Sequence, residues 1–152
     1  TNSLLQVEVS FSVGKNVYHR EVKIHSYLYN MESDNISCCY IIYELNQLVN
    51  GLVIGMKIKD SIGQNILDIN NLDKPFTKNK LNLYATARIS FEMPELKSGQ
   101  YSVDIAFGDK SLHKQSVFLW AYNIGSLSLQ TNAKFNAIFY PKNLDIDRRL
   151  IK

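Results

Sequence analysis

Cysteine is nearly absent from this chain: there are two, Cys38 and Cys39, and they are adjacent. Neighbours on a strand point to opposite faces, and a bridge between them would be strained. With no second pair there is no disulfide framework, and two reduced, partly buried thiols are expected. No His or further Cys stands at ligand spacing from them, which argues against a metal site. Long apolar runs are missing too. None approaches the ~18 residues of a membrane-crossing helix, and residues 1–13 lack the basic start and continuous apolar run of a secretory signal. The first residue is Thr1 rather than Met, so the chain reads as a domain cut from something larger.

Catalytic signatures are likewise lacking. There is no G-x-x-x-x-G-K-[ST] phosphate loop, so no ATP hydrolysis is expected of this segment. Nor is there a Gly-x-Ser-x-Gly or a His-Glu-x-x-His. His19, His25 and His113 are scattered and read as surface or loop residues rather than general bases. The nearest carboxylate pair, Glu92 and Glu95, flanks Pro94 in a turn, without the facing geometry of a glycosidase. An enzyme is not expected, and no cofactor is implied. The net charge is only +3. It resides in residues 132–152, where Lys134, Lys142, Arg148, Arg149 and Lys152 outnumber Asp145 and Asp147. Without a dense basic stripe and interleaved aromatics, nucleic-acid binding is not expected, and this end reads as a solvated basic tail.

What is present is alternation of period two. Leu5, Val7, Val9 and Phe11 alternate with polar residues, and Gly14 to Asn16 makes a turn. Residues 22–29 and the β-branched and aromatic run 36–45 follow as strands. Leu81, Leu83, Ala85, Ala87, Ile89 and Phe91 alternate with Asn82, Tyr84, Thr86, Arg88 and Ser90. Tyr101, Val103, Ile105 and Phe107 alternate again. Residues 117–129 supply another strand with Gly125 at a bulge, and 135–140 a last one ended by Pro141. No helix is indicated. Roughly seven to nine short strands with turns about every ten residues predict one all-β domain, an immunoglobulin-like antiparallel β-sandwich.

Two blocks of residues stand out. Gly55, Ile58, Asp60, Gly63 and Asn70 fit "G-x-x-I-x-D-x-x-G-x-x-x-x-x-x-N" across a hairpin that turns at residues 60–63. Pro94, Leu96, Gly99 and Tyr101 fit "P-x-L-x-x-G-x-Y" between two strands. In order and spacing these resemble the C-terminal carbohydrate-binding domain of the ATPase subunit in ABC exporters of O-antigen polysaccharide, the Wzt type. The resemblance covers roughly residues 15–128; residues 4–13 precede it and read as an extra edge strand or linker. It implies non-catalytic recognition of the capped non-reducing end of an O-antigen chain, coupled to export. By the same resemblance the domain works in the cytoplasm against the inner membrane, with an ATPase upstream and a membrane permease as partner. It also implies a homodimer that exchanges its last strand. Phe135, Ala137 and Phe139 alternate there with Asn136, Ile138 and Tyr140, and residues 131–134 would be the hinge. The competing class is an extracellular immunoglobulin-like adhesion or protein-interaction module.

A saccharide site on a sheet needs a flat ring for sugar C–H faces and polar side chains for hydroxyls. If strands 36–45, 52–59, 101–107 and 117–129 share one sheet, its outer face shows Tyr43, Lys57, Ser102, Asp104 and Asn123. A rival patch, Tyr84, Thr86 and Arg88, lies on the opposite sheet, where Arg88 could hold an anion bidentately or simply pair with a nearby carboxylate. Trp120, beside Tyr122 and Ile124, is expected in the core.

Overall fold

The computed structural model describes residues 6–11, 17–18, 22–31, 36–94, 96, 98–111, 114–130 and 142–151. These form ten strands and no helix: β1 (Gln6–Phe11), β2 (Val17–Tyr18), β3 (Val22–Met31), β4 (Ile36–Leu45), β5 (Leu52–Lys59), β6 (Asn65–Asn70), β7 (Leu83–Glu92), β8 (Gly99–Ser111), β9 (Lys114–Gln130) and β10 (Lys142–Leu150). Two five-stranded sheets result, ordered β1-β9-β8-β5-β6 and β10-β7-β4-β3-β2, antiparallel at every pairing. The antiparallel sandwich read from the alternation is therefore present. The segments at residues 1–5, 12–16 and 131–141, with His19 and His113, lie outside the described residues, and with them the expected turn at 14–16 and the expected strand at 135–140.

Alternation explains the core. Ile54, Met56 and Ile58 of β5 face Val103, Ile105 and Phe107 of β8 in register, all fully buried. Ile41, Tyr43, Leu45, Ala85, Ala87 and Ile89 close the cavity from the second sheet. Between β5 and β6, Asp60 Oδ1 accepts from the backbone of Ile62 (3.1 Å) and Gln64 (2.8 Å), and Gly63 takes φ 86°. Asn and Asp side chains that bond their own turn, with Gly at the left-handed position, are the reason the chain reverses here. Beyond the last ladder pair, Gly55 with Asn70, Asn71 replaces a strand: its Oδ1 accepts from Ile54 N (2.8 Å) and its Nδ2 donates to Leu52 O (3.1 Å).

Two expectations need correction. Strand β4 belongs to the second sheet, not beside β5 and β8, and Tyr43 points into the core against Phe107, ring centroids 5.2 Å apart. Leu45 inside and Glu44 outside fix that phase, because a carboxylate resists burial far more than Tyr40 or Ile42 resists exposure. The basic tail is in part a strand. β10 pairs with β7 from Lys142 to Leu150, and Leu144 and Ile146 pack against the core while Asp145 and Asp147 face solvent.

Candidate functional site

The outer face of the first sheet is built in rows. Across β6, β5, β8 and β9 the register aligns Asn70, Gly55, Ala106 and Trp120. One step along, it aligns Asp68, Lys57 and Asp104. The two small residues sink the middle of the first row, while Asn70 and Trp120 rise at its ends. The result is a groove of about 160 Å³, lined also by Lys57, Asp68 and Val117. A Cβ built at Gly55 would meet only ordinary contacts, 3.6 Å from Ile69 O and 3.7 Å from Asn70 Cβ, so a side chain there fills the groove rather than breaking the sheet.

Asp104 anchors the wall. It is 2% exposed, yet three donors satisfy it: Lys59 Nζ at 3.0 Å, the backbone N of Asn123 at 2.7 Å and Trp120 Nε1 at 3.3 Å. Opposite it, β9 carries extra residues: Val103 pairs with Gly125 and Ile105 with Ala121, leaving 122–124 against Asp104 alone. Asn123 takes the left-handed conformation, φ 53°, which Asn tolerates better than most residues, and its side chain accepts from Lys59 Nζ at 3.2 Å. The two extra residues leave Ala121 and Gly125 both facing the core, while within the bulge Ile124 turns inward and Asn123 outward. Trp120 and Tyr122, on the face opposite Leu119 and Ala121, point outward, stacked at 5.6 Å and 19°, with Tyr122 66% exposed. Lys57 Nζ lies 4.7 Å over the indole and 3.6 Å from Asp68, and Lys59 Nζ lies 5.6 Å over the Tyr122 ring. Two stacked rings, each with a lysine ammonium over it, are thus held at the surface.

Of the residues expected at a site, Lys57, Asp104 and Asn123 come together here. Asp104 is turned to holding the wall rather than to solvent. Ser102, paired with Lys59 and Ser126, sits on the same face but further from the groove. Tyr43 is buried in the opposite sheet. Trp120, Tyr122, Gly55, Ala106, Asp68 and Asn70 were not expected; Trp120 in particular is not a core residue. The available signal was Asn123 two residues before Gly125, a pair that suits a bulge and so separates Ile124 from the face of Trp120 and Tyr122. In the rival patch, Arg88 pairs with Asp145 at 3.3 Å and Tyr84 packs edge-on to His25 at 5.1 Å, with Thr86 between Ile42 and Arg149. Both cysteines are buried and outside any disulfide, and burial raises the Cys39 pKa. Among the described residues no group of three or more His, Cys, Asp or Glu is placed to hold a metal, and no helix is long and apolar enough to cross a membrane.

No curated protein matches the chain. Among solved structures, the crystal structure of the C-terminal domain of wzt superposes with a TM-score of 0.63 at 12% identity, covering 91% of this chain and 86% of that one. At that identity the likeness speaks for the shared sandwich fold. A family model described as the Wzt C-terminal domain matches residues 11–140. Matched over most of its length, with both blocks of residues and the fold in agreement, the chain belongs to the Wzt C-terminal domain family.

Proposed function

We propose that this domain binds the non-reducing end of an O-antigen polysaccharide in the groove between Asn70 and Trp120 and thereby marks a finished chain for export. Its family carries a non-catalytic, carbohydrate-binding role related to O-antigen export. The observation that supports a site here is the cross-strand row Asn70–Gly55–Ala106–Trp120, with a flat ring at one end, an amide at the other and no side-chain bulk between. The indole covers an apolar sugar face, while Asn70, Asp68 and Lys57 offer acceptors and donors to hydroxyls. Asp104 positions Trp120 and the Asn123 bulge rather than touching the ligand. In the wider reading, an ATPase domain on the same subunit and a permease in the inner membrane move the chain from the cytoplasm. A homodimer exchanging 135–140 would present two grooves, raising the effective concentration for a weak ligand.

Trp120 is the single tryptophan, so its fluorescence reports directly on the groove. Titration with purified O-polysaccharide of the source strain is expected to perturb this emission, and removal of the chain's terminal cap to abolish the effect. Trp120→Ala and Gly55→Val are each expected to weaken binding at least about tenfold, roughly 1.4 kcal/mol, by calorimetry. Wild-type protein that binds no polysaccharide, capped or uncapped, would overturn the reading.

A further inference from the structure

A second groove, about 560 Å³, lies where residues 71–78 meet β10; Asn70 borders it as well as the first groove. The Asn70 side chain is held for that position, its Oδ1 accepting from Leu72 N at 3.0 Å and its Nδ2 donating to Asp68 at 3.4 Å. In the second groove, Arg148 stacks over Phe76 at 4.6 Å. Its guanidinium donates to Asn79 Oδ1 at 2.6 Å and to Lys78 O at 3.1 Å, so two of its five N–H donors are used within the protein. Lys74 and Lys78 are offset by Asp73 and Asp147 in the same lining. A polyanion would find little net charge here. A polymer rich in hydroxyls would find an aromatic edge, backbone carbonyls and side chains of both signs.

We infer that the two grooves form one track: the terminal sugar sits in the first, the chain passes over Asn70, and the next residues lie in the second. This rests on the function proposed above and extends it from an end-binding to a multi-residue site. The second groove, about 560 Å³ against about 160 Å³, is the roomier of the two and suits the longer part of the chain. Thr77 and Asp147, exposed on opposite sides of the second groove, give two independent ways to block it.

The test is calorimetry of the 152-residue chain with fragments of the source strain's O-polysaccharide that retain the non-reducing end, of one, two and four sugar residues. Affinity is expected to rise at least about tenfold from the shortest to the longest fragment. Thr77→Trp and Asp147→Trp, each checked for an unchanged melting temperature, should remove that gain while leaving the one-residue fragment within about twofold of wild type. Affinity independent of length, or a gain that survives both substitutions, would overturn the track and leave end recognition standing. Wild-type protein that binds none of the fragments would overturn both.

Discussion

Asp104 is the residue on which the outer face of the first sheet depends. A carboxylate this deeply buried is tolerable only because an ammonium, an indole N–H and a backbone N–H all point at it. Deleting one partner of such a pair strands the other, and Lys59 is itself only 16% exposed. Asp104→Ala is therefore expected to lose about 3–5 kcal/mol of stability in urea unfolding. Glycan binding should weaken with it even at temperatures where the variant remains folded, because Trp120 loses its tether. Asp104→Asn keeps the shape and acceptor oxygen but not the charge, and should fall between the two. If Asp104→Ala bound glycan as tightly as wild type, the tether would have no role in holding the wall. Tyr122 differs: 66% exposed, it can be cut to Ala with small cost to folding.

At the scale of the element, the bulge in β9 decides which side chains reach the surface. Asn123→Gly retains access to the left-handed region, whereas Asn123→Val places a β-branched residue there at a cost of about 1–2 kcal/mol. The urea midpoint should drop for the valine variant and shift little for glycine, with the slope unchanged in both. This element also marks the limit of what the sequence reveals. The β5–β6 hairpin was legible because Asp60 and Gly63 determine a turn locally, and Lys57 follows from the alternation of its neighbours. Trp120 was not, because strict alternation groups it with Tyr122 and Ile124, and the bulge at 122–124 turns Ile124 alone of the three into the core. Tyr43 was misplaced for another reason: sheet membership is decided by the pairing of β4 with β7, distant in sequence, and the outward side of β4 carries Tyr40 and Ile42 as well as Glu44. In β10, the alternation of Leu144 and Ile146 with Asp145 and Asp147 was available, but was masked by the basic residues around it.

For the molecule as a whole, the interior holds hydroxyls and a thiol that resist ionisation. Burial, the largest cause in each case, raises the pKa values of Tyr27, Tyr29 and Cys39, and that of Tyr43 despite the opposing charge of Arg148. Groups raised in the folded state keep their protons after the unfolded chain has begun to lose them. Their contribution is full at low pH and declines once pH passes the unfolded values, roughly 8.5 for Cys and 10 for Tyr. Melting temperature should accordingly fall progressively between pH 8.5 and 11 with no counterpart near neutrality. A flat profile over that interval would show that these groups ionise without unfolding. Cys38 and Cys39 should also resist alkylation until the protein is denatured, since a neutral, buried thiol is a poor nucleophile.

Nearly every residue lining the first groove sits on a strand, with Leu72 the exception, and the groove opens directly to solvent along the sheet. Among the described residues, a ligand there is held almost entirely by strands. How long it stays is then set by affinity alone: with association at about 10⁶ M⁻¹ s⁻¹ and micromolar binding, residence is on the order of one second. Under the function proposed above, a chain end held that briefly would be handed on without a separate release step.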